Sequence, residues 1–107
     1  MTGCWAQGHL SYREHPELAG IKLATGQAYQ GSGLGVVQTE ASGTGDCSGL
    51  VTRALRDLLA EAQALGGLGV EDVKFRARWN WTGSRVLCRK GFLGLRKYVA
   101  VRGVAVK

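Results

Sequence analysis

The stretch "VEDVKFRARWNW", Val70 to Trp81, decides the fold. Val73, Phe75, Ala77, Trp79 and Trp81 alternate with Lys74, Arg76, Arg78 and Asn80. A period of two marks an extended strand with one apolar and one polar face. Two readings compete. The basic side could grip nucleic acid, with Lys74, Arg76 and Arg78 spaced about 6.6 Å apart, twice the rise of an extended residue. Alternatively the apolar side faces a core and the basic side faces water. Base-stacking platforms need aromatic and basic side chains on one surface. The alternation sets Trp79 and Trp81 opposite the arginines, so a half-buried strand is the simpler expectation and nucleic acid is disfavoured as a partner.

The counterpart of that strand lies just upstream. "SGLVTRALRDLLAEAQALGG", Ser48 to Gly67, places Val51, Leu55, Leu58, Leu59, Ala62 and Leu65 at three- and four-residue spacings, one apolar stripe on a helix. Asp46 or Ser48 is placed to cap its start. Gly66-Gly67 supplies the left-handed stop. Leu55 and Leu58 are expected to pack on Val73, Phe75 and Ala77, each buried leucine contributing about 1.5–3 kcal/mol. The tryptophan side of the strand is then turned inward and the arginines are left wet.

Outward from this pair, "GLGVVQTEA" (Gly33–Ala41) reads as a strand from its β-branched residues. Thr82–Ser84 turns the chain into "RVLCRK", a hairpin return, and "KYVAVRGVAVK" closes it with a valine-rich strand. Gly103 inside that last strand signals a bulge or a close neighbour. Residues 1–32 show little period and hold the single proline, Pro16. They are expected to be a largely irregular arm with one short strand near Ile21–Leu23. The expected fold is α+β: one amphipathic helix on a 3–4-stranded, mainly antiparallel sheet formed by residues 33–107.

Composition bounds the function. The 107 residues suit one domain, and 45% hydrophobic with 21% charged residues is an ordinary globular balance. No apolar run is long enough to span a bilayer. The net charge of +6 is unevenly placed. Residues 1–72 carry all 8 acids and four bases; residues 73–107 carry ten bases and no acid, giving −4 against +10. Lys74, Arg76, Arg78, Arg85, Arg89 and Lys90 thus form a candidate anion-binding face, or simply a solvated basic one.

Three cysteines leave an odd count. They are either buried free thiols or, if Thr2-Gly3-Cys4 is the end of a lipoprotein signal, Cys4 is a lipid anchor and Cys47 and Cys88 remain as a pair. A lipid on Cys4 would be the sole link to a membrane. His9 and His15 both lie in the arm, and a Cys47–His15 nucleophile pair has nothing beside it to complete a catalytic constellation. The spacing of Cys4, His9 and His15 is wider than structural zinc sites use. The glycines of "GQAYQGSGLG" precede a strand and match no phosphate loop. No catalytic, metal or cofactor residue is assigned.

Leu34-Gly35-Val36-Val37, Ala54-Leu55, Glu61-Ala62, Ala64-Leu65-Gly66, Val70, Val73 and Gly103-Val104-Ala105-Val106 carry a family likeness. With these residues, the span 33–107 resembles the YbjQ-like family of small bacterial α+β domains, loosely labelled heavy-metal-binding. The resemblance implies self-association, often as rings. Related envelope lipoproteins, such as the Rcs stress-sensing lipoprotein, share a similar fold and use disulfides, which implies a Cys47–Cys88 bond. The expected function is a non-enzymatic, self-associating structural or binding domain, a scaffold or sensor of the bacterial cell envelope. The alternatives are a cytoplasmic ring that binds a ligand or metal, and a basic nucleic-acid-binding module. Trp79, Trp81, Phe92 and Tyr98 are candidates for the subunit seam, or equally for the domain's own core.

Overall fold

A computed structural model describes residues 5–8, 12–24, 33–83, 85–91 and 95–107 of the chain. Its single helix, α1 (Cys47–Ala64), begins at Asp46, whose extended backbone lets the carboxylate accept from the Gly49 amide at 2.7 Å. That bond satisfies a first-turn donor beyond the reach of any helical carbonyl. The helix stops at Gly66, which adopts φ +87°, while the Gly67 amide returns to the Ala62 carbonyl at 2.9 Å. Leu50, Val51, Ala54, Leu55, Leu58 and Ala62 are buried along one side. Leu65, expected in the stripe, lies past the helix end and is half exposed.

The sheet is built on β7 (Lys97–Val106). One edge of β7 pairs antiparallel with β3 (Gly35–Gly43) in unbroken register, from Gly35 opposite Ala105 to Gly43 opposite Lys97. The other edge is shared: Lys97 and Tyr98 pair with β6 (Leu87–Lys90), and Val101 to Val106 with β4 (Gly69–Arg76). Beyond β6 lies β1 (Trp5–Gln7). Beyond β4 lie β2 (Ile21–Leu23), which is parallel to it, and β5 (Trp81–Thr82). The protein is therefore α+β as expected, but among the described residues the sheet is mixed and seven-stranded rather than three- or four-stranded and antiparallel. β2 is the short strand expected near Ile21–Leu23, whereas β1, also three residues long and too short to show a period, was not expected and is recruited by pairing. A 3-10 turn, Pro16–Gly20, and β2 bring Leu18 and Ile21 fully into the core, so the arm contributes to the same interior.

Helix and sheet enclose one cluster, with Phe75, Val51, Leu55, Leu58, Val73 and Val101 at zero exposure. Thr39 fixes the helix to β3 by donating its hydroxyl proton to the Ala54 carbonyl at 2.8 Å. Val70 and Val73 both face inward although three residues apart. A β-bulge allows this: Asp72 sits at φ +55°, the register slips between Glu71 and Lys74, and Asp72 and Val73 together oppose Gly103.

The inward placement expected for the tryptophans is corrected. β4 ends at Arg76, and the Ala77 amide bonds the Asn80 carbonyl at 2.7 Å to close a hairpin. Trp79 sits in its loop, 83% exposed. The chain returns with Trp81 directly opposite Arg76. On a straight strand residues 76 and 81, five apart, would point to opposite faces; across a hairpin, directly opposed residues share one. Val73 and Phe75 are core as expected, whereas Trp81 joins the arginines.

Candidate anion-binding face

The helix covers only one side of the sheet. Among the described residues no element covers the other side, and its side chains can be read from register. Val99 and Val101 are buried under the helix, so Tyr98, Ala100 and Arg102 point outward. Lys74 is opposite Arg102, and Arg76 is opposite Trp81, which sets all four on the open face. The Trp81 indole lies across β4, with the Arg102 guanidinium 4.4 Å and the Arg76 guanidinium 5.6 Å from its ring centroid. At the hairpin tip the Arg78 guanidinium stands 5.1 Å from the Trp79 ring.

Stacking on an indole holds a guanidinium through the ring's negative face and leaves its N–H edge free to donate. Among the described residues, none of Arg76, Arg78 and Arg102 is ion-paired to a carboxylate. The acids beside them are occupied otherwise: Glu71 pairs with Lys22 at 3.6 Å, and Asp72 with Lys74 at 3.7 Å. Among the described residues, the result is a set of oriented donors with no carboxylate partner on a face that no element covers.

The remaining sequence candidates are scattered. Arg89, opposite Tyr98, lies on the open face but at the β6 end. Lys90 is opposite Lys97, one residue out of phase, and Lys97 itself donates to the Gly45 carbonyl at 3.1 Å. Arg85 is exposed before β6. Tyr98 is 44% exposed on the open face, so Trp79, Trp81 and Tyr98 all lie outside the core. Phe92, Cys4 and His9 lie outside the described residues. Arg102 is the member that sequence reasoning missed. Its signal was present, since Val99, Val101 and Gly103 alternate with Ala100 and Arg102.

The Cys47 and Cys88 sulfurs are 2.12 Å apart, with a Cα separation of 5.8 Å, joining the helix start to β6 at disulfide distance. That leaves no thiol at Cys47 for a nucleophile pair with His15. His15, Glu14, Asp46, Ser48, Gly49, Thr52 and Arg56 line an open polar cleft at the helix start. Glu17, at its side, is hydrogen-bonded by the Arg56 Nε at 2.8 Å, and this bond holds its carboxyl below the usual range. Burial pushes the Tyr12 phenol up; it donates to the Ile21 carbonyl at 2.6 Å. Among the described residues no three His, Cys, Asp or Glu side chains converge as a metal site, and no helix is long and apolar enough to cross a membrane.

Neither protein-family models nor curated proteins match the chain. The likeness to the YbjQ-like family is thus unsupported by comparison.

Proposed function

We propose that this is a non-enzymatic binding domain that takes an anionic partner on its open sheet face. One observation carries the reading: Trp81 shares that face with Arg76 and Arg102 and orients both guanidiniums, which have no carboxylate partner among the described residues. A fork of fixed N–H donors suits phosphate or carboxylate oxygens. Trp81 is engaged by cations, so the face favours an anionic group over stacked bases, which need bare aromatic rings. The Cys47–Cys88 pair supports a non-reducing setting for the domain, in keeping with an envelope scaffold or sensor. Anchoring through Cys4 belongs to the same proposal.

The test is a tryptophan-fluorescence titration with inorganic polyphosphate, anionic phospholipid vesicles and a single-stranded oligonucleotide, each over a salt series. Polyphosphate and vesicles should bind with salt-sensitive affinity. Arg102→Gln and Arg76→Gln should each weaken binding about tenfold, the loss of one charge-assisted contact. Absence of binding at low salt, or variants that bind like the parent, would refute the reading. Oligonucleotide binding far tighter than polyphosphate binding would favour the nucleic-acid module instead.

A further inference from the structure

We propose that the chain pairs with a second copy of itself along the free edge of β3. This goes beyond anion binding and uses a different surface. Among the described residues, β3 pairs only with β7, leaving its outer edge without a strand. An unpaired edge exposes alternating amides and carbonyls, and domains that keep such edges single usually place prolines, bulges or lysines there. β3 has none of these. It runs nine residues, its ladder with β7 is unbroken, and Glu40 is its only charged side chain.

The side chains single out one register. Antiparallel pairing that continues both faces of the sheet must keep inward residues opposite inward residues. Centring the twofold axis on Thr39 meets this condition and overlaps all nine residues. Val37 then faces Ala41 of the second copy on the helix side, and Val36 faces Ser42 on the open side. Gln38 faces Glu40 twice, each carboxylate receiving an amide donor. Moving the axis one residue toward Glu40 sets the two Glu40 carboxylates against each other. Moving it one residue toward Gln38 sets Val36 against Glu40. Val36 is 71% exposed, and Gln38 and Glu40 are exposed as well, so these side chains are accessible to a second copy. The self-complementary order of one strand makes the partner a twofold-related copy.

Sedimentation equilibrium on the oxidised full chain, from micromolar to millimolar concentration, should show a monomer–dimer equilibrium. Gln38→Glu sets two like-charge pairs across the axis and should weaken the dimer about tenfold. The double variant Gln38→Glu/Glu40→Lys restores opposite charges at both positions and should recover it. Both sites are exposed, and far-ultraviolet dichroism checks that the fold is kept. A monomer at all concentrations would overturn the proposal. So would a dimer indifferent to Gln38→Glu, which would use another surface, or a double variant that fails to recover, which would exclude this register.

Discussion

Reducing the Cys47–Cys88 bond should destabilise the domain by about 4 kcal/mol. The bond spans 41 positions, so it closes a loop of about 42 residues that includes the whole of α1 and β4. Loop closure on that scale removes roughly 13 cal/mol/K from the unfolded chain, or about 4 kcal/mol at room temperature. A domain of this size has roughly 5–15 kcal/mol in total, so the loss is a large fraction of it. In urea, with a slope near 1.5 kcal/mol/M, the midpoint should fall by roughly 2–3 M. The assay compares oxidised and reduced samples of a Cys4→Ser variant, which leaves only one pairing to form. Using the same chain in both states avoids burying a new hydroxyl, since both sulfurs are nearly inaccessible. The slope should rise on reduction, because an uncrosslinked unfolded chain exposes more surface. Midpoints that agree within about 0.5 M would refute the argument, since that slope would then assign the bond less than 1 kcal/mol.

Three further expectations concern the fold. Gly103→Ala should cost about 1–3 kcal/mol, since a new Cβ would lie 2.5 Å from Val70 Cγ1 and 2.9 Å from the Glu71 carbonyl; an unchanged melting temperature would show that the bulge yields freely. Asp46→Ala should cost about 1 kcal/mol by removing the cap on Gly49, and chemical denaturation would expose a smaller role if the midpoint stayed put. Glu17 has its folded pKa lowered by the Arg56 hydrogen bond, so the pair stabilises the fold above the ordinary glutamate pKa. That contribution is lost as pH falls through the lowered folded value. Glu17→Gln should therefore flatten stability against pH in that acidic window and nowhere else. A parallel offset at all pH values would assign Glu17 a purely steric part.

The helix was the most legible element, because three- and four-residue spacing, a capping Asp46 and a Gly66 stop all give the same answer. β3, β7 and the inward Phe75 were legible for similar reasons. The arm was not. Leu18 and Ile21 are fully buried, yet they stand in segments of only five and three residues, where no period can accumulate. The tryptophans misled for a different reason. Alternation from Val73 to Trp81 continues through a loop that interrupts the strand, and neither glycine nor proline marks that turn. "Ala-Arg-Trp-Asn" is chemically a fair strand continuation; what bends it is the Ala77–Asn80 backbone bond and the room for Trp81 to lie against Arg102.

The two proposed surfaces are not independent in space. Arg102 on β7 is directly opposite Gln38 on β3, one strand in from the proposed dimer edge. Pairing of two β3 strands would set the two Arg102 residues three strand spacings across and two residues along from each other, roughly 16 Å. The open faces would then merge into one, and a polyanion reaching both clusters would gain avidity beyond either site alone. Dimerisation should therefore raise affinity for polyphosphate while leaving that for a single inorganic phosphate unchanged. Gln38→Glu alone cannot demonstrate this, because it also places a carboxylate beside Arg102 within each copy. The double variant restores the pairing but leaves each open face one charge more positive than in the parent, so single inorganic phosphate serves as the reference for local charge. If polyphosphate affinity recovers with the dimer by more than phosphate affinity changes, the coupling comes from the shared sheet; if the two change together, local charge is the cause and the two surfaces act separately.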